Sequence, residues 1–410
     1  MSIRCPVLFL LALSTIALAE RPPIVLTDAA RKLHAECVVI DGHNDLPWEL
    51  RDLGGQSKVD LREPQPKLQT DLPRLRAGGL GAQFWSAWAP VDTIESGTAV
   101  ATTLEQIALI HEMVERYSND FQFCETVAEI RAAHAAGKIA SLIGVEGGHS
   151  INNSLRTLRE LYDRGARYMT LTHSDSLDWV DSATDDSNVP GGLNAFGEQV
   201  IAEMNRLGMM VDLSHVSAEA MHAAMKASQA PVIFSHSSAR ALADHPRNVP
   251  DDVLRELKSD GGLVMVNFFS GFTVPEAAAN YAAQFPLQRK LLSATGAEKD
   301  ALQKELNEYR AAHPMPRGDI HVVLDHIEHI IQVAGIDHVG LGSDYDGVSV
   351  LPAQLEDVSS YPYLTQGLLD RGYSAGDIRK VLGENLLRVF AAVEAKGAEL
   401  RAAAEAEADE

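Results

Sequence analysis

Cysteine, aromatic residues and positive charge are all scarce in this chain: three cysteines in 410 residues, 6% aromatics, and 35 basic against 57 acidic side chains. Three thiols cannot build a disulfide framework, so the fold must rest on its own apolar core. The resulting net charge of −22 disfavours nucleic acid and anionic membranes as partners. Long hydrophobic runs are absent too, except at the start. There MSIRCPVLFLLALSTIALAE offers Arg4, an apolar stretch from Pro6 to Leu18 and a small-residue Ala17-Leu18-Ala19 site. This is the pattern of a secretory signal peptide, too short for a membrane span. The chain is therefore expected to be exported, periplasmic or secreted. Its C-terminal segment is Ala/Glu-rich and lacks the apolar end of a lipid-anchor signal, so no membrane anchor is expected in the mature chain. Once the signal is removed Cys37 and Cys124 remain, and a free buried thiol at Cys37 is expected rather than a bridge.

What the chain does have is rhythm. Short apolar runs recur at 37–40, 81–85, 140–145, 167–171, 209–213, 231–234, 263–267 and 338–342. Between and after them, segments 103–117, 126–137, 154–164, 194–207, 217–228, 250–260, 319–334 and 374–391 carry amphipathic helical spacing, with Ser217 and Ser374 placed as N-caps. Strand and helix in alternation imply parallel βαβ units, and eight of them imply an α/β fold of the (β/α)8 TIM-barrel type. Segment 270–318 reads as a helical insertion after the seventh strand, with one helix near 286–309, and loop 175–192 as an irregular border of the site. The chain thus divides into a signal peptide (1–19), one barrel domain (20–395) and an acidic tail (396–410).

The carboxyl ends of the runs carry His43 and Asp45, Glu146, His173, His215, His236, Asn267 and Asp344. A barrel enzyme places its active site at that face. His43, Asp45, Glu146, His215 and His236 are too many ligands for one catalytic zinc, which takes three protein ligands and a water. Two ions fit better: one on His43, Asp45 and Glu146, the other on Glu146, His215 and His236. A carboxylate has two oxygens to share, and a bridging hydroxide would complete both shells. Asp344 is placed to take the hydroxide's proton and hand it to a leaving group.

The ordered motifs DGHNDLPW, GVEGGHS, LTHS, LSHVS, FSHSSAR, HPRNVPDD and GLGSDYDGV resemble the membrane (renal) dipeptidase family, zinc peptidases of the amidohydrolase superfamily. The resemblance implies a binuclear-zinc barrel that hydrolyses dipeptides, L,L and also L,D, and a homodimer. It places two Zn2+ on the five ligands, bridged by Glu146 and a hydroxide, and makes Asp344 the catalytic acid/base. His173 then contacts the scissile carbonyl, and Arg247 holds the substrate's free carboxylate. The chain departs from the family at Asp175, where mammalian members carry a cysteine, and at Phe269, where a substrate-lining tyrosine is expected.

Plainer readings compete. Arg247 could pair with Asp251 or Asp252 at the surface, and His173 could be a barrel-top residue without duty. Asp346 and His149 read as outer or structural, and His321, His326 and His329 as solvated. Trp48, Trp85, Trp88 and Trp179 could line the pocket or simply pack. The competing activity is an amidohydrolase acting on N-acyl amino acids or another carboxylate-bearing amide or lactone with the same two metals. Arg247 argues against a neutral phosphotriester. A zinc-binding protein without catalysis would have no use for Asp344.

Overall fold

Among the described residues there are nine strands, all parallel, and eight of them fall on the apolar runs: β1 (Val39–Asn44), β2 (Leu80–Trp88), β3 (Phe121–Phe123), β4 (Ile139–Glu146), β5 (Ala166–Thr170), β6 (Met210–Asp212), β7 (Ile233–Phe234), β8 (Leu263–Val266) and β9 (Val339–Leu341), with β3 the exception. In this computed structural model, residues 21–408 are described, apart from positions 56, 187, 188 and 190. The signal-peptide reading of 1–19 therefore lies outside the described residues. Hydrogen bonding runs β2-β1-β9-β8-β7-β6-β5-β4, and the pairing of β2 with β4 closes the ring into an eight-stranded TIM barrel. The ninth strand, β3, pairs only with the first residues of β4, Ile139–Ser141, before β5 takes up that edge at Ile143. Three residues, Phe-Gln-Phe, are too short a stretch for their alternation to be read as a strand from sequence.

Period-2 alternation splits each strand between two cores. Ala82 and Phe84 of β2, Ala140 and Leu142 of β4, Tyr168 of β5 and Met210 of β6 face the barrel interior. Their neighbours Trp85, Ala87, Ile143, Val145, Met169 and Val211 face the surrounding helices. The interior set on β4, continued by two, arrives at Glu146. Helix starts are capped as the sequence suggests: Ser217 Oγ accepts from Ala220 N, and Ser374 Oγ from Asp377 N.

The insertion differs from expectation. Instead of one helix it holds four, Ser270–Thr273, Pro275–Ala282, Phe285–Ser293 and Gly296–Ala312. Proline opens two of them and an extended Ala294-Thr295 separates the last pair. The C-terminal segment is helical, one helix running unbroken from Asn385 to Ala408. Cys37 and Cys124 are buried free thiols. Among the described residues no helix is long and apolar enough to cross a membrane.

Candidate metal centre

The five candidate ligands, with His173 and Asp344, stand at or just beyond the carboxyl ends of strands. Glu146 ends β4, and His43 is the penultimate residue of β1. Asp45 precedes the helix Leu46–Asp52 yet its carboxylate caps nothing, which leaves it free to face inward. His215 and Asp344 are held in left-handed backbone, φ 72° and 66°. Few non-glycine residues adopt that conformation, and Asp and His are among those that tolerate it; such backbone concentrates at functional sites.

The side chains converge on the Glu146 carboxylate. Its Oε2 lies 3.6 Å from His43 Nε2, while Oε1 lies 3.0 Å from His215 Nε2, 3.4 Å from His236 Nε2 and 3.7 Å from His173 Nε2. Its two oxygens thus face different imidazoles. Asp45 Oδ2 stands 3.2 Å from His43 Nε2, and Asn267 Nδ2 donates to Asp344 Oδ2 at 2.8 Å. Three overlapping groups have donor atoms within 4.8 Å of one another: His43, Glu146 and His236; Glu146, His173 and His215; His43, Asp45 and Asp344. All five ligands expected from sequence are brought together, with His173 and Asp344 among them.

The donor set fits divalent cations. His43 Nε2 is buried and makes no hydrogen bond, and His215 Nε2 and His236 Nε2 approach to 3.0 Å. Imidazole and carboxylate in this mixture suit zinc and its neighbours. The electrostatics divide the histidines. Burial pushes His173 down to about 4 and holds His215 and His236 well below the usual histidine range, whereas at His43 burial is outweighed by Tyr168, Asp45 and Glu146, which raise it well above that range. Burial opposes charge on Glu146 also, but His43, His173, His215 and His236 outweigh it and keep the carboxylate ionised. Asp344 is pushed up to about 8, first by burial and then by Asp45 and Glu146. Of the two carboxyl groups Asp344 and Glu146, it is the one suited to carry a proton.

Arg247 is not a surface arginine. It is buried, with only weak partners in Ser237 Oγ at 3.4 Å and His236 O at 3.3 Å, and its Nε has none. Its guanidinium sits 5.1 Å above the Phe272 ring. Asp251 bonds His329 instead, and Asp252 lies by His222. Burial lowers the Arg247 pKa to about 10, with Asp344 and Glu146 acting in the opposite sense. Around it the insertion builds an aromatic roof, Phe269 lying 5.3 Å and Phe272 6.0 Å from the Tyr281 ring.

A model of the membrane dipeptidase family, peptidase family M19, matches residues 27–404. The chain belongs to the membrane dipeptidase family. Solved structures of the same fold include the probable dipeptidase PvdM from Pseudomonas aeruginosa, at 24% identity and TM-score 0.78 over 90% of this chain and 98% of that one. A metallo peptidase from Rhodobacter sphaeroides, liganded with a phosphinate mimic of L-Ala-D-Ala, aligns at 24% identity and TM-score 0.72 over 87% and 99%. The dipeptidase AC aligns at 25% and 0.70 over 87% and 98%. As a member of this family the chain is a metal-dependent dipeptidase, and the clusters around Glu146 are the donors available to its metal.

Other readings are corrected or sharpened by the geometry. His326, read as solvated, is buried and holds Ala239 N and Thr273 O. Its neighbours on the same face, Val323, Ile327 and Ile330, are all buried, so i+3/i+4 spacing could have revealed it. His149 is structural, with Nε2 at 2.8 Å from Ala89 O. Asp346 sits in a turn where Oδ1 accepts from Gln69 N at 2.6 Å. Trp85 and Trp179 pack in the core, whereas Trp88 lies 5.5 Å from the His173 ring. Loop 175–192 does border the site, with Ser182 Oγ donating to His173 O at 2.7 Å. Sequence reasoning passed over Asp212, Ser235 and Tyr168, polar groups inside apolar strands or beside a ligand.

Proposed function

We propose that the chain hydrolyses dipeptides, L,L and L,D, at a site holding two zinc ions on His43, Asp45, Glu146, His215 and His236, with Glu146 shared between them. Bound there, the ions would polarise the scissile carbonyl and bring the pKa of water towards about 7. The protein's residues divide the remaining work. Asp344 receives the proton released on attack and delivers it to the leaving amine, a task suited to a carboxyl that lies against the ligand cluster and is held by Asn267. The His173 imidazole, neutral by burial, donates to the carbonyl oxygen as negative charge gathers there.

Arg247 carries the reading. A buried guanidinium with no carboxylate partner is costly unless an anion arrives with the substrate. Placed beside the Asp344 and Glu146 charges, it selects a free carboxylate next to the scissile bond and so measures chain length. A panel of L,L- and L,D-dipeptides, tripeptides and C-terminally amidated dipeptides tests this. Loss of a buried charge pair is worth about 3 kcal/mol, so amidation should lower kcat/KM about 100-fold. Equal cleavage of free and amidated dipeptides would remove Arg247 from its role. An N-acyl amino acid cleaved faster than any dipeptide would favour the competing amidohydrolase. The exported, homodimeric state belongs to the same proposal. It is checked by locating the processed chain and measuring its mass in solution.

A further inference from the structure

We propose that two buried hydroxyls, Ser235 Oγ and Tyr168 OH, act as proton-fixed relays that force His236 and His43 to present Nε2 to the metals. The inference rests on the two-ion reading of the site, and concerns positioning residues that touch neither substrate nor metal.

The first relay begins at Asp212, at the end of β6. Its Oδ1 accepts from Ser214 N at 3.1 Å and Ser235 N at 2.8 Å. Its Oδ2 accepts from Thr170 Oγ1 and, at 2.6 Å, from Ser235 Oγ. Four donors saturate the carboxylate, leaving it an acceptor only. A serine hydroxyl has one proton, and Asp212 takes it. Towards His236 Nδ1, 2.7 Å away, Ser235 Oγ can therefore only accept. The proton between them must sit on Nδ1, and the lone pair of the ring is left on Nε2, the atom that faces Glu146 Oε1 at 3.4 Å.

The second relay repeats the logic across the barrel. Tyr168 OH donates to Gly42 O at 3.1 Å and lies 2.8 Å from His43 Nδ1. With its one proton on the carbonyl, it accepts from Nδ1–H, so Nε2, which faces Asp45 Oδ2 at 3.2 Å, is the nitrogen left to bind a cation. The reach is made possible by Gly144 on β4, where a Cβ would lie 1.9 Å from Tyr168 Cζ. His215 supplies the contrast: its Nδ1 has no hydrogen-bond partner, and no such relay fixes its tautomer. Outer hydrogen bonds of this kind fix tautomer and ring orientation, and losing one lowers metal affinity about 10- to 100-fold.

The test uses 15N-histidine protein, with Ser235→Ala, Tyr168→Phe and wild type compared. In the metal-free wild type His236 is expected as the Nδ1–H tautomer. In the 113Cd-loaded form, one-bond coupling should appear at Nε2 of both His236 and His43. Ser235→Ala should release the tautomer of His236 alone, and Tyr168→Phe that of His43 alone. Each should weaken zinc binding at one ion by about 10- to 100-fold. A wild-type His236 in the Nε2–H tautomer, or cadmium on Nδ1, overturns the proposal even if neither variant folds. So does unchanged zinc affinity in both folded variants. If the wild type shows fixed tautomers but binds a single zinc, the two-ion reading fails while the relays stand.

Discussion

His326 ties the helical insertion to the barrel, and its chemistry makes the tie dependent on pH. Nδ1 accepts from Ala239 N at 3.0 Å and Nε2 donates to Thr273 O at 3.0 Å, so the ring must be neutral. A second proton would set an N–H against the Ala239 N–H. Burial pushes its pKa down to about 4. Because the fold prefers the neutral ring, the unfolded chain takes up its proton first as pH falls. The contribution is complete above pH 6.5, drains between 6.5 and about 4, and is gone below. The gap between the ordinary 6.5 and about 4 corresponds to about 3 kcal/mol; some 2 kcal/mol of it, roughly, is lost by pH 5. His326→Leu strips two buried backbone groups of their partners, at about 1–3 kcal/mol each, so the variant should be less stable by about 3 kcal/mol at pH 7.5. At pH 5 the difference should shrink to about 1 kcal/mol, since the wild type has already lost what the variant never had. Equilibrium urea unfolding of metal-free protein at the two pH values measures this, and the other histidines cancel in the comparison. The same stability gap at pH 7.5 and pH 5 would refute the reasoning.

Three further outcomes are expected. Asp344→Asn should keep both metals and the fold, checked by metal analysis and circular dichroism, while kcat falls by at least about 100-fold. Glu146→Gln replaces one shared oxygen by a donor, so zinc content should fall from two to one or fewer per chain; two tightly held ions in this variant would end the shared-carboxylate reading. Gly144→Ala drives a methyl into Tyr168, and should lower stability by about 1–3 kcal/mol through overpacking, with a fall in zinc affinity that Gly376→Ala, at an exposed helical position with room for a methyl, would not produce.

Most of the barrel was legible because parallel strands covered on both faces read as continuous apolar runs, each broken sharply by a charged or imidazole side chain. Glu146 after ASLIGV and His236 after PVIFS are of this kind. What escaped had weaker signals. Alanine-rich helices give little contrast between faces, so the breaks in the insertion at Ala283-Gln284 and Ala294-Thr295 were smoothed over. Arg247 came from the family motif, and only the structure shows that it lacks an acidic partner. Asp212 and Ser235 were hidden for another reason. A single polar residue in an apolar run looks like an interruption until its hydrogen bonds are counted.

The smaller of the two cores has one more contributor. Leu386, Leu387, Val389, Phe390 and Val393, from the last helix, pack with Ile40, Phe84, Leu142 and Met210, and the Phe390 ring lies 6.4 Å from that of Phe84. The floor of the barrel is therefore laid by residues that leave the ribosome some 350 positions after the first strand. Until they arrive, the growing chain has walls and no base, and its interior stays open to water and to chaperones. The metal centre at the opposite mouth depends on strands β1 and β9 meeting. Both the floor and the His43, Asp45 and Asp344 cluster therefore join residues from the two ends of the chain.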